Sequence, residues 1–179
     1  MTVITATVLI MCGMQSGTAA DFGAFSVSQL QCVIGNNAAA GEHRAGYNGV
    51  FQLTAPDAPK NAFVPLYAGL NLEHYFDAAT VSEDRAVFFE PRNASMSFQM
   101  LDENTAELHQ PTTPHFGVES WTRLTVKDPC YVDMDFRCVP RKAGLAGNVL
   151  GVFWASYINA PEDKSLYFLS EGSSLDAPK

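Results

Sequence analysis

Residues 130–138 read CYVDMDFRC, and strict alternation governs them. Cys130, Val132, Met134, Phe136 and Cys138 fall on one side of an extended chain, and Tyr131, Asp133, Asp135 and Arg137 on the other. A two-residue period belongs to a β-strand with one buried and one wetted face. The same logic extends along the chain. MSFQML and AELHQ flank Asp102-Glu103-Asn104-Thr105 and read as a hairpin. Further strands are expected at FSVSQLQCVI (25–34), GVFQL (49–53), AFVPLYA (62–68), AVFFE (86–90), WTRLTV (121–126), NVLGVFWASYI (148–158) and SLYFL (165–169). Both faces of NVLGVFWASYI are filled, which predicts a central, buried strand.

Between these runs stand APDAPK, EPRN, QPTTP, KDP, VPRKAG and NAPED, each rich in turn residues. No window carries a helical period, and GNNAAAGEHRAG (35–46) reads as a loop with at most one helical turn at its alanines. Short strands at close spacing, punctuated by Gly and Pro, predict an all-β chain. The expected fold is an antiparallel β-sandwich, supersandwich-like and with little helix, either complete or short of a larger sheet's remaining strands.

A length of 179 residues is the size of one domain, expected over residues 21–170 with a tail at 171–179. The first twenty residues carry no charge, and Val3 to Met11 form an apolar run too short to span a bilayer, which needs ~20 residues. They read as a secretory signal ending in Thr18-Ala19-Ala20, which places the protein outside the cytoplasm, secreted or periplasmic. The alternative is a buried first strand, since the run is rich in β-formers.

The net charge of -8 and eleven scattered Lys and Arg argue against a phosphate backbone or an anionic lipid surface as partner. Beyond the export signal, no membrane association is expected. Cys130 and Cys138 would stand ~26 Å apart on one strand, too far to bond each other, while Cys32 with either stays open. Asp133 and Asp135 offer carboxylates to a hard cation, but Arg137 on the same face answers their charge. The four histidines show no ligand spacing and no CxxC occurs, so no metal and no cofactor is expected.

The densest polar stretch is AGLNLEHYFDAA, residues 68–79. On a strand Asn71, Glu73, Tyr75 and Asp77 share one face, ~6.6 Å apart in sequence, and Leu70, Leu72, His74 and Phe76 the other. Such a face suits a groove for a hydroxyl-rich ligand, or is an ordinary solvated strand face. HFGVESW (115–121) gathers His115 and Glu119 for general acid and base work, with Trp121 as a stacking platform. The alternative there is a loop entering a strand with Trp121 in the core. In FFEPRN, Arg92 is placed to clamp a carboxylate such as that of a uronic acid, or to pair with Glu90 or another internal acid. The candidate catalytic residues are thus Glu73, His74, His115 and Glu119. The candidate substrate-binding residues are Asn71, Tyr75, Asp77, Arg92 and Trp121.

The order Asn71, His74, Tyr75, Phe76 in GLNLEHYFD resembles the galactose mutarotase-like superfamily, large β-sandwiches that act on sugars. The resemblance implies a carbohydrate ligand, with His74 as general acid near a sugar ring oxygen and a distant glutamate as base. The chain is therefore expected to interact with poly- or oligosaccharide. It does so as an enzyme of epimerase, lyase or hydrolase type, as a fragment of one, or as a non-catalytic binding or structural module.

Overall fold

Among the described residues nine strands form in chain order: β1 (Phe22–Val27), β2 (Leu30–Gly35), β3 (Gly49–Thr54), β4 (Asn71–Phe76), β5 (Ser97–Met100), β6 (Thr105–Gln110), β7 (Val118–Lys127), β8 (Tyr131–Pro140) and β9 (Gly151–Ala155). The computed structural model describes residues 20–41, 43–79, 82–163 and 165. The signal-like residues 1–19, most of SLYFL and the 171–179 tail lie outside the described residues. All pairings between these strands are antiparallel, in three sheets ordered β1-β2-β3, β4-β9 and β5-β6-β7-β8. The fold is an all-β sandwich, as the alternation implied.

The layers meet through two apolar clusters. Phe25, Leu30, Cys32, Ile34 and Val50 of the first sheet pack on Phe98, Ala106, Leu108, Leu124 and Val126 of the four-stranded sheet. Leu72 and Tyr75 of β4 pack on Phe116 and Val118, with Phe136, Cys138 and Trp154 half-buried around them. Each large apolar side chain removed from water contributes about 1.5–3 kcal/mol. The β4-β9 ribbon thus lies beside the three-stranded sheet over the same partner sheet. Val50 and Gly69 stitch the two together by exchanging backbone hydrogen bonds of 2.9 and 2.8 Å. The approach is so close that a Cβ on Gly49, whose φ is +98°, would fall 2.6 Å from the Leu70 carbonyl oxygen. Only glycine fits there.

Several elements differ from expectation. FSVSQLQCVI is two strands, because the chain turns at Ser28 (φ +52°) and Val27 faces Leu30 across a two-residue loop. AVFFE is no strand. Asp84 accepts a 2.8 Å bond from the Ala86 N–H and caps a short helix, α1 (Arg85–Phe88), and α2 (Glu90–Asn93) follows with Pro91 in its first turn. AFVPLYA makes only an isolated bridge, Phe63 to Ile158, since Pro65 offers no N–H and Leu66 turns at φ +73°. NVLGVFWASYI is a strand only at β9, which pairs with β4 alone among the described strands, so it is an edge and Phe153 and Ile158 are half-exposed. Cys32, Cys130 and Cys138 carry no disulfide.

Candidate functional site

The segment 71–76 is a strand, but its pleat is interrupted. Asn71 faces Ala155 and Leu72 faces Trp154, whereas His74 already faces Phe153, leaving Glu73 as the extra residue of a β-bulge. The bulge changes which side each later residue takes. Asn71 and Glu73 turn to the outer side of the layer, under α2 and the loop around Tyr47, and His74 lies against α1. Tyr75 turns inward, into the cluster with Leu72. Its hydroxyl donates to Ser120 Oγ at 3.0 Å. Asp77 lies past the strand and accepts from the N–H groups of Ala79 (3.1 Å) and Ala146 (3.0 Å). The expected common face of Asn71, Glu73, Tyr75 and Asp77 does not exist, because one bulge residue breaks the period on which it rests.

What forms instead is a buried polar hub around Glu73, which is 5% exposed. Its Oε1 accepts from Arg92 Nη1 at 3.2 Å and from the Tyr157 hydroxyl at 3.0 Å. Its Oε2 accepts from Asn71 Nδ2 at 3.1 Å and lies 3.1 Å from the same hydroxyl. His74 Nε2 stands 3.8 Å from Oε1. Arg92 is therefore turned inward: its Nε donates to the Gly46 carbonyl at 2.7 Å, and its guanidinium lies 4.1 Å from the Tyr47 ring centre and 4.6 Å from that of Phe89. Asn48 completes the floor, donating to Asn71 Oδ1 and to the Leu72 carbonyl, and accepting from the Leu72 N–H. Burial first, then the Glu73 carboxylate, raises the Tyr157 hydroxyl well above the usual tyrosine range, so it stays a donor. Every partner of this carboxylate is a protein donor. Together they hold the carboxylate in place and bury it away from the surface.

His74 borders a cleft of about 270 Å³, lined also by Tyr75, Phe76, Val87, Phe88 and Phe153. Its Nδ1 lies 2.5 Å from the Phe88 carbonyl oxygen. A carbonyl only accepts, so Nδ1 carries the hydrogen and Nε2 faces Glu73. Phe76, Phe88 and Phe153 are 47, 50 and 48% exposed around the opening. Walls of this kind offer few partners to a ligand with many hydroxyls, each of which loses water bonds on entry.

A different polar surface lies on the outside of the four-stranded sheet. Cross-strand register sets His109 opposite Trp121, and Trp121 opposite Arg137. The imidazole stacks on the half-buried indole at 5.1 Å with 15° between planes, and the Arg137 guanidinium lies 5.0 Å from the indole centre on the other strand. Glu119 stands two residues before Trp121 and joins His109 Nε2 (3.0 Å) to Arg141 Nε (2.7 Å). The His109 bond first, and Arg141 second, hold the Glu119 carboxyl below its ordinary value of 4.5. Arg123 and Glu107 pair at 2.9 Å farther along the same face.

The expected grouping of His115, Glu119 and Trp121 is thus corrected at one member. His115 is exposed in the loop before β7. Its backbone N–H and that of Phe116 bond the buried Glu90 carboxylate, the latter at 3.0 Å. Its carbonyl accepts from Lys142 Nζ at 3.2 Å. Glu119 takes His109 instead, and Trp121 sits on the outer face rather than in the core. In sum, Asn71, Glu73, His74 and Arg92 come together at the hub, Glu119 and Trp121 on the sheet face, and Tyr75, Asp77 and His115 stand elsewhere. Tyr157, Tyr47 and Asn48 at the hub, and His109 and Arg141 on the face, were not singled out from the sequence. His109 was within reach, since it alternates with Glu107 on a recognised strand, but the register with Trp121 depends on a loop whose geometry sequence does not set.

No family model, no curated protein and no solved structure matches the chain.

Proposed function

We propose that the chain is a non-catalytic carbohydrate-binding β-sandwich that meets its ligand on the outer face of the four-stranded sheet. The observation that carries this reading is the half-buried Trp121, fixed between His109 and Arg137 on an exposed face where Glu119, Arg141, Arg123 and Glu107 also stand. A sugar ring needs a flat apolar surface for its C–H face and donors and acceptors for its hydroxyls, and this face offers both. Arg137 is the exposed, movable cover of the indole, and a ligand that displaces it gains the ring. Binding is favoured over catalysis because both oxygens of Glu73 are occupied by protein donors and the neighbouring cleft is apolar.

The test is a glycan array carrying neutral and uronate oligosaccharides, followed by titration calorimetry on the best binder. Trp121→Ala should weaken that binding more than ~10-fold, the loss typical of an aromatic anchor. Glu73→Gln should leave the affinity unchanged. A glycan held equally well by Trp121→Ala sinks the proposed face, and a failure to bind any glycan sinks the ligand class.

A further inference from the structure

Strand β8 ends the four-stranded sheet. It bonds β7 along its full ten residues, and no other described strand bonds its second side. An edge of that length displays a row of backbone donors and acceptors ready for another chain. It is also where the core thins. Val132, Phe136 and Cys138 face inward but are only half-buried, and Met134 is 36% exposed. Across the layer, Trp154 packs edge-on to Phe136 at 4.5 Å, and its buried Nε1 has no partner among the described residues.

We infer that β8 is the contact edge of a homodimer, pairing antiparallel with β8 of a second copy about a two-fold axis at Phe136. Among two-fold registers that keep most of the ten-residue strand paired, the charges select this one. A two-fold antiparallel pair centred on Phe136 sets Asp135 against Arg137 of the partner subunit, and the reverse, so two complementary contacts form. On the inner side Met134 faces Cys138 of the partner subunit, and Phe136 faces its own copy. An axis at Met134 would oppose Asp133 to Asp135 of the partner subunit. An axis at Asp135 or at Arg137 would oppose that residue to its own copy. An axis between residues would set inward side chains against outward ones. Like charges directly opposite destabilise a pair, so of these registers only the one at Phe136 is free of conflict. Within one chain, neither Asp135 nor Arg137 holds an ion pair among the described residues, whereas Asp133 is taken by Lys127. A single edge strand buries less than the roughly 1,600 Å² of a standard interface, so micromolar dissociation is expected.

Sedimentation velocity of the full chain over a micromolar concentration series tests the inference. The wild type should show a monomer–dimer equilibrium. Asp135→Arg and Arg137→Asp should each raise the dissociation constant at least ~10-fold, because each places like charges opposite one another twice. The double variant Asp135→Arg/Arg137→Asp should dimerise again. An equimolar mixture of the two single variants should form a heterodimer, an outcome that misfolding of either could not produce. A wild type that stays monomeric throughout overturns the inference. So does a dimer indifferent to the single changes, or a double variant and a mixture that remain dissociated.

Discussion

Replacing Glu73 by leucine would remove the acceptor that three inward-facing donors share. Asn71 Nδ2, Arg92 Nη1 and the Tyr157 hydroxyl all converge on this carboxylate within 3.2 Å. The side chains of Glu73 and Arg92 are 7% and 15% exposed, so little water can replace the lost partner. Breaking a buried ion pair from one side costs about 3–5 kcal/mol, because the remaining charge stays desolvated and unmatched. At ~2–4 °C per kcal/mol for a chain of this size, the midpoint of thermal unfolding should fall by roughly 6–20 °C. Arg92→Met should cost a similar amount. The double variant Glu73→Leu/Arg92→Met removes both charges and leaves the Asn71 and Tyr157 donors and the Gly46 carbonyl without these partners, a loss of about 1–3 kcal/mol for each that water cannot reach and less than the sum of the single changes. Urea unfolding of all four proteins closes a double-mutant cycle. If each single change costs less than about 1 kcal/mol, or if the double change costs the sum of the two, the hub is not a mutually dependent unit and the reasoning fails.

Three further outcomes follow from the geometry. Glu90→Ala should cost about 1–3 kcal/mol by stranding the N–H groups of His115 and Phe116, and hydrogen exchange at these two amides should accelerate; amides that stay protected would refute the assigned role. Burial raises the hydroxyls of Tyr75 and Tyr157 above their ordinary value of 10, so the folded chain keeps protons there that the unfolded chain has lost. The stabilisation is complete below pH 10 and declines as pH rises beyond it; Tyr157→Phe should flatten the fall in melting temperature from about pH 9 to about pH 11, and an unchanged slope would contradict this. The Cys32 thiol, pushed up to about 12 by burial, should resist a thiol reagent until the chain unfolds, while exposed Cys130 reacts at once; peptide mapping that finds both labelled together would refute the packing.

Where side-chain period and backbone period agree, sequence was a reliable guide. The alternation at 130–138 became β8, and Asp102 to Thr105 joined a true hairpin. Elsewhere the deciding physics was not local. Nothing in NLEHYF announces a bulge at Glu73, because a bulge is a property of the pairing with β9, eighty residues away in the chain by order of magnitude. Phe-rich AVFFE has strand composition, yet a side-chain cap from Asp84 and a proline in the following turn wind it into two short helices. Those helices aim Arg92 at Glu73. Pairing with an internal acid was one of the two alternatives open for Arg92, and its identity required knowing which strand the helix covers.

The extra residue in β4 also bears on how this chain tolerates change in length. Downstream of position 73 each side chain's destination depends on a count, not on its own chemistry. Deleting one residue between Leu72 and Tyr75 would erase the bulge at which Glu73 meets its donors while keeping Tyr75 on the side of Leu72, whereas inserting one without a second bulge would swing the phenol of Tyr75 out of the interior and sever its link to Ser120. The turn at 56–60, exposed throughout, carries no such arithmetic. Insertions and deletions should accumulate there and be purged from the strand, whatever residue types they involve.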